Sequence, residues 1–280
     1  MMKKELLREL HPAVSMFYFV MLLIIIMFSL NPIVITVSFV ISIISVLRHK
    51  GFKTLKTMTL FFIPIFLFSV ILLPLFNHNG VTALFYINDM AVTLENIVYG
   101  LIMTMMLMVV SLYFVTAGCM TDSEKILYVT DRISHKLSLI ISMVLRFIPM
   151  MIRRWHEIHE AQLGMLCAQG TGFMAKAKQY TKELSILISW CLENSIDTAV
   201  SMESRGYGTG RRSSYHRFRL KKADVIFLIL FMVLSFFIVY TFGIGKFETY
   251  YFPEIYIKRT DAVSYAALIS EIIYMSFVII

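Results

Sequence analysis

The chain has 280 residues, of which 58% are apolar and only 16% charged, with a net charge of +8. A soluble domain of this length needs far more charge to cover its surface, so the composition excludes an ordinary soluble protein and points to a bilayer. On such a chain an excess of Lys and Arg reads first as a mark of cytoplasmic loops and only second as a nucleic-acid surface.

The leader Met1 to His11 carries Lys3, Lys4 and Arg8. The apolar run that follows, Pro12 to Leu30, is too long for a signal-peptide core and ends in Asn31-Pro32 rather than an A-x-A-like site, so a retained first span is expected. Asn31-Pro32 predicts a tight turn. Ile33 to Leu47 reads as a short second span, Arg48 to Lys56 as a basic loop, and Thr59 to Phe76 as a third span containing Pro64 and Pro74. Lipid-buried helices tolerate proline where neighbours satisfy the freed carbonyls.

Residues 77–96 read as a loop without Lys or Arg, and Asp89 and Glu95 are its acids. Ile97 to Ala117, rich in Met, is the fourth apolar run. Met adapts its shape, which suits packing and could help a sliding helix interface. Asp224 to Phe242 and Ala262 to Ile280 are the last two runs, separated by a polar loop with Tyr250, Tyr251 and Tyr256. The expected class is all-α and polytopic, with about six spans of the length a bilayer requires. The expected division is N-terminal membrane helices at 1–117, a polar segment at 118–222 and C-terminal membrane helices at 223–280. Lys and Arg crowd the leader, the 48–56 loop and the 118–222 segment, which places these three and both termini in the cytoplasm.

Glu95 reads as an outer-interface residue, whereas Glu271 stands in the middle of the last run, where an ionisable group is a functional candidate or faces other helices. Cys119, Cys167 and Cys191 are far apart and odd in number, which argues against a disulfide framework or a zinc site of usual spacing.

The 118–222 segment carries most of the information. Thr121 to Lys136 has apolar residues at roughly helical spacing and reads as an amphipathic interfacial helix, with Thr121-Asp122-Ser123-Glu124 as its N-terminal signal. Leu137 to Met151 is too polar to span easily and continues into Arg153 to Gln162. A long helix, kinked at Pro149, is expected to stop near Gly170-Thr171-Gly172. Lys182 to Glu203 predicts a second long helix whose stripe is Leu184, Leu187, Ile188, Cys191, Ser195, Ala199 and Met202. Its later, small residues let another helix approach closely. It ends at Ser204-Arg205-Gly206, followed by a glycine-rich exit and a basic run from Arg211 to Lys222.

Several motifs are excluded by spacing. His156 and His159 stand at i, i+3, whereas H-E-x-x-H needs i, i+4, so this run reads as a solvated helix face. Gly206-Tyr207-Gly208-Thr209-Gly210 is neither a dinucleotide fingerprint nor a Walker A and follows a helix, so the chain is not expected to bind ATP. The basic run is a topology signal and lipid-headgroup anchor, and no stacking platform supports nucleic acid. No catalytic cluster, metal set or cofactor motif is read from the chain.

The stretch Trp190 to Gly208, with its ending Ser201-Met202-Glu203-Ser204-Arg205-Gly206-Tyr207-Gly208, resembles the second coupling helix of the transmembrane T component of energy-coupling factor (ECF) transporters. Residues 146–170 resemble the first coupling helix more loosely. About a third of the chain carries the likeness, and the remaining spans match in topology.

The resemblance implies a pair of long crossing coupling helices, each ending in an Ala-Arg-Gly-like triplet whose arginine enters an acidic groove on an ATPase. Ser204, Arg205 and Gly206 would be the second triplet. The chemistry suits the role, because a guanidinium pairs carboxylates bidentately and a glycine behind it lets the chain turn away. Ala168, Gln169 and Gly170 are the closest match to the first triplet, with Gln where Arg is expected. Either that end couples more weakly, or the contact lies nearer Gln162-Leu163-Gly164.

The resemblance further implies two ATP-binding cassette ATPase subunits and a substrate-binding S component as partners. It implies a non-catalytic importer subunit for a vitamin or a metal ion such as cobalt. A conventional ABC permease with its own substrate path, or a polytopic membrane enzyme, are the alternatives. The last would need clustered carboxylates or His at a span boundary, which the sequence lacks.

Overall fold

The computed structural model describes residues 10–76, 81–87, 90–165, 172–210, 218, 220–244, 249–251, 256–257 and 262–278. They form helices α1 (Pro12–Phe28), α2 (Pro32–His49), α3 (Phe52–Phe76), α4 (Leu94–Met120), α5 (Ser123–Ile133), α6 (His135–Gly164), α7 (Phe173–Ser204), α8 (Lys222–Gly243) and α9 (Ala262–Ser276). Two short antiparallel ribbons accompany them, β1 (Ala83–Ile87) with β2 (Met90–Thr93) and β3 (Thr249–Tyr250) with β4 (Tyr256–Ile257). The fold is therefore all-α with two small ribbons, in segments expected to be loops. In the first ribbon the run Ala83-Leu84-Phe85-Tyr86-Ile87 is rich in residues that favour strands.

Local chemistry sets the helix starts. Proline occupies the first turn of both α1 and α2, where its missing N–H costs nothing. His11 Nδ1 accepts from the Ala13 N–H at 3.3 Å, and Asn31 Oδ1 accepts from the Ile33 N–H at 3.0 Å. At the start of α8, Asp224 accepts from the Lys221 N–H at 2.8 Å and from the His11 N–H at 3.3 Å, so one carboxylate caps α8 and ties the chain ahead of α1 to it.

The chain divides into two compact units, one of Met1–Ile126 with Phe218–Ile280, the other of Leu127–Arg217. In the first, α1, α4, α8 and α9 close around Tyr18, Leu22, Tyr113, Phe231 and Tyr274, all fully buried. The Tyr18 hydroxyl donates to the Tyr274 carbonyl at 2.8 Å, and the Tyr274 hydroxyl donates back to the Tyr18 carbonyl at 3.2 Å. The two rings stack at 4.9 Å, with Phe231 4.7 Å from Tyr18.

On α2 the buried stripe Val34, Ser38, Ile41, Ser42 and Ser45 follows helical spacing. Its serines keep the stripe thin and donate to carbonyls of their own helix, Ser38 to Val34 at 2.6 Å and Ser45 to Ile41 at 2.9 Å. The carbonyl of Leu30, beyond the end of α1, accepts from Thr249 Oγ1 at 3.0 Å and from the Tyr251 hydroxyl. Burial is the main cause that raises the Tyr251 hydroxyl above the usual phenol range.

Five helices are long and apolar enough to cross a membrane: α2, α3 over Phe52–Ile71, α4, α6 and α8. The shorter α1 and α9 have 17 and 15 residues. Two expectations are adjusted. First, α3 begins at Phe52, so Lys53 and Lys56 form its first turns rather than a loop. Second, α6 has the length and composition of a span although Leu137 to Met151 alone appeared too polar. The reason is its 30 residues: the stretch from His135 to Ile152 carries only Lys136 and Arg146 as charges, and the remaining charged residues of the helix follow Ile152.

Glu95, in the first turn of α4, is 3% exposed and accepts from the Thr82 N–H at 3.2 Å and from Thr82 Oγ1 at 2.7 Å. Glu271, on α9, is 1% exposed, and neither carboxyl oxygen has a hydrogen-bond partner among the described residues.

Candidate functional site, the α6–α7 hairpin and its arginine tip

The second unit is built on α6 and α7, of 30 and 32 residues. At 1.5 Å per residue each is about 45 Å long, well beyond an average helix. Contacts pair falling positions on α6 with rising positions on α7. His159 meets Glu183, Arg154 sits over the Trp190 ring at 5.5 Å, and Phe147 faces Ser195 across a cleft. The helices therefore lie antiparallel. The hairpin begins differently from expectation: α7 starts at Phe173, nine residues before Lys182, and α6 stops at Gly164. Helix α6 continues through Pro149, whose missing N–H leaves the Leu145 carbonyl without its usual donor.

Near the closed end of the hairpin a polar clasp joins the helices. His159 Nδ1 lies 2.9 Å and 3.1 Å from the two carboxyl oxygens of Glu183, and Gln179 Nε2 donates to Glu183 Oε1 at 2.9 Å. The Glu183 carboxylate is fully buried, so these bonds replace its lost water. Tyr180 stacks on both Trp155 and His159, at 6.4 Å and 6.3 Å. Ile158 and Leu187 are the buried apolar residues beside it.

Sequence reasoning missed this clasp by reading the His156–Glu160 run as solvated throughout. His156, Glu157 and Glu160 are exposed, but His159 turns inward. The available signal was phase, since Glu183 stands four residues before Leu187, on the face that α7 buries.

At the other end an open cleft of about 470 Å³ lies between Met143 and Phe147 on α6 and Ser195, Ala199 and Met202 on α7. The small residues expected to admit a close neighbour do line it. Outside the hairpin seam, two apolar rows face outward: Leu137, Ile140, Val144, Ile148 and Ile152 on α6, and Leu184, Ile188, Leu192, Ile196 and Val200 on α7. Leu184 and Ile188, expected with Leu187 in one stripe, belong to this exposed row.

The end of α7 has a defined geometry. Arg205 is the C-cap, Gly206 takes φ +78°, the Gly206 N–H donates to the Glu203 carbonyl at 2.9 Å and the Tyr207 N–H to the Met202 carbonyl at 3.0 Å. These two bonds form a Schellman motif. Tyr207 and Met202 both line the cleft, on the apolar side of the motif. Ser204 Oγ donates to the Ser201 carbonyl at 2.9 Å. Arg205 is exposed and has no ion-pair partner among the described residues. The structure thus brings Ser204, Arg205 and Gly206 to one helix tip, with the guanidinium presented outward.

Ala168, Gln169 and Gly170 lie outside the described residues. In the other register considered, Gln162 is only 5% exposed and points inward, with its Oε1 unpartnered among the described residues. Among the described residues no group of three or more His, Cys, Asp or Glu could hold a metal ion. Cys119 and Cys191 are free thiols.

The family model of the CbiQ cobalt transport protein matches residues 3–216, a span that includes the whole hairpin. Over 192 residues, 61% of this chain and 70% of the relative, there is 28% identity to the energy-coupling factor transporter transmembrane protein EcfT of Acidaminococcus fermentans. The EcfT of Lactobacillus helveticus is 35% identical over 101 residues, 35% of this chain and 36% of that protein. An uncharacterized protein of Mycoplasma genitalium is 25% identical over 162 residues, 54% of this chain. The match spans 38% of that Mycoplasma protein, so it covers little more than a third of either of these two relatives.

Proposed function

The chain belongs to the CbiQ cobalt transport protein family, and on that premise we propose that it is the T component of an ECF-type importer. In this reading it passes ATP-driven motion from two ATP-binding cassette ATPases to a substrate-binding S component. The observation that carries the reading is the tip of α7, where a Schellman turn presents Arg205, without an ion-pair partner among the described residues, beyond a helix of 32 residues. Inside its own helix a cation there offsets the macrodipole. Docked in an acidic groove, the same fork would make bidentate bonds, and a stiff helix would convert groove motion into displacement at its far end.

Ser204, Arg205 and Gly206 are assigned to ATPase contact. Ala168, Gln169 and Gly170 are assigned to the second contact, where Gln offers hydrogen bonds but no ion pair. The exposed apolar rows of α6 and α7 supply surface for the S component and for lipid. Residues 118–222 form the cytoplasmic coupling segment between membrane regions 1–117 and 223–280, with both termini cytoplasmic by the distribution of Lys and Arg. The chain itself is non-catalytic, and the cargo, a vitamin or a metal ion, is selected by the S component.

Affinity capture of the tagged chain in detergent tests the reading. Wild type is expected to recover ATPase subunits, and Arg205→Glu to lose them. A well-folded wild type that recovers no ATPase overturns it. The competing reading of a permease with its own substrate path draws on Glu271, a buried carboxyl on the apolar helix α9 without a hydrogen-bond partner among the described residues. That reading requires transport without any S component.

A further inference from the structure

We infer that the corner between α2 and α3 is a binding surface for anionic lipid headgroups, read by Lys50, Lys53 and Lys56. Helices α2 and α3 both have the length and composition of membrane spans, and only Lys50 and Gly51 separate them. Gly51 takes φ +78°, and both its N–H and that of Lys50 donate to the Val46 carbonyl, at 3.1 Å and 2.9 Å. So short a turn between two spans must lie at a membrane boundary. All three lysines are exposed, and Lys53 and Lys56 stand at i, i+3 on one face of α3.

Among the described residues nothing pairs with this charge. No Asp or Glu occurs between Glu9 and Asp89, and among the described residues none of the three lysines has an ion-pair partner. Like charges one turn apart repel, and the first turn of a helix is the end where cations are least favoured. An external anion relieves both costs. The flanks specify its kind. Phe52 is 71% exposed beside the lysines, and Leu60 and Phe61, further along α3, are 67% and 63% exposed. A ligand with a phosphate head and apolar tails matches cations at the boundary and aromatic and aliphatic surface beneath them, while the lysine stems reach along that surface. The inference rests on α2 and α3 being spans and not on the transport reading.

The test uses the full-length chain, with whatever subunits accompany it, delipidated and titrated with phosphatidylglycerol or phosphatidylcholine, bound lipid being counted by native mass spectrometry. Wild type is expected to retain phosphatidylglycerol over phosphatidylcholine, with a preference that falls as NaCl rises. The triple variant Lys50→Ser, Lys53→Ser, Lys56→Ser is expected to lose on the order of a hundredfold in phosphatidylglycerol affinity. The corresponding triple Lys→Arg variant is expected to keep it.

Equal retention of the two lipids by wild type, or unchanged affinity in the serine variant, overturns the inference. If the serine variant fails to insert, the wild-type salt series decides, and a preference insensitive to salt overturns it. Displacement of the lipid by inorganic phosphate would assign the corner to a free anion and also overturn it. The readout needs no ATPase, so failure here and failure of the transport reading are separate results.

Discussion

At Gly206 the backbone lies at φ +78°, a region that costs a residue with a Cβ about 1–2 kcal/mol. A Cβ there would also meet Thr209 Oγ1 at 3.2 Å. Gly206→Val is therefore expected to loosen the Schellman turn while leaving Arg205 in place. Hydrogen exchange at the Tyr207 N–H should accelerate, and ATPase recovery should fall although the guanidinium remains. Gly206→Asn, which tolerates the left-handed region, should show a smaller effect in both. Unchanged exchange in Gly206→Val would show that the turn does not depend on glycine. This tip was legible in the sequence, because a glycine after a helical stripe marks a helix end and because an arginine before it is distinctive. The clasp at His159 was not legible. Its partner Glu183 is 24 positions away, and nothing local marks a charged residue as destined for full burial.

Between elements, that clasp is what holds the α6–α7 hairpin near its turn. The opposite end opens into the cleft of about 470 Å³. His159→Ala strands a fully buried carboxylate with Gln179 as its remaining partner among the described residues, and should cost about 2 kcal/mol, the scale of a hydrogen bond to a charged group. Glu183→Ala should cost a similar amount, and the double variant should cost much less than the two together. Unfolding of the detergent-solubilised chain, followed by a probe in α7, measures all three. Strict additivity would mean that the two side chains act independently.

The boundaries of these helices show what sequence periodicity could and could not reach. The existence of both helices followed from pattern. The extension of α7 back to Phe173, and of α3 back to Phe52, did not, because turns such as Ala175-Lys176-Ala177-Lys178 favour helix by propensity but carry no apolar stripe to mark where it starts. A tertiary neighbour or a membrane boundary decides them.

For the molecule as a whole, the first and last helices of the membrane unit are joined by the reciprocal Tyr18–Tyr274 bonds across 256 positions. Hydrogen bonds between membrane helices average about 0.6 kcal/mol, so Tyr18→Phe should be mild. Tyr18→Ala, which also empties a fully buried ring site, should cost about 3–5 kcal/mol. The apolar runs announced the membrane unit, yet they could not show which helices meet, since lipid and protein interior select the same residue types.

Glu271 is the exception that hydropathy did register, and the structure sharpens it into an opposite prediction. Its carboxyl is 1% exposed and unpartnered among the described residues, a state that costs about 1–3 kcal/mol for each unsatisfied group. Glu271→Met keeps similar bulk and removes both oxygens, so it should raise the thermal midpoint of the purified chain. Substrate uptake in cells then decides what the carboxyl is for. Raised stability with uptake intact would make Glu271 a tolerated defect. Raised stability with uptake lost would show that a costly buried acid is maintained because transport uses it. A lowered midpoint would mean that Glu271 has a structural partner, and the premise of an unsatisfied carboxyl would fall.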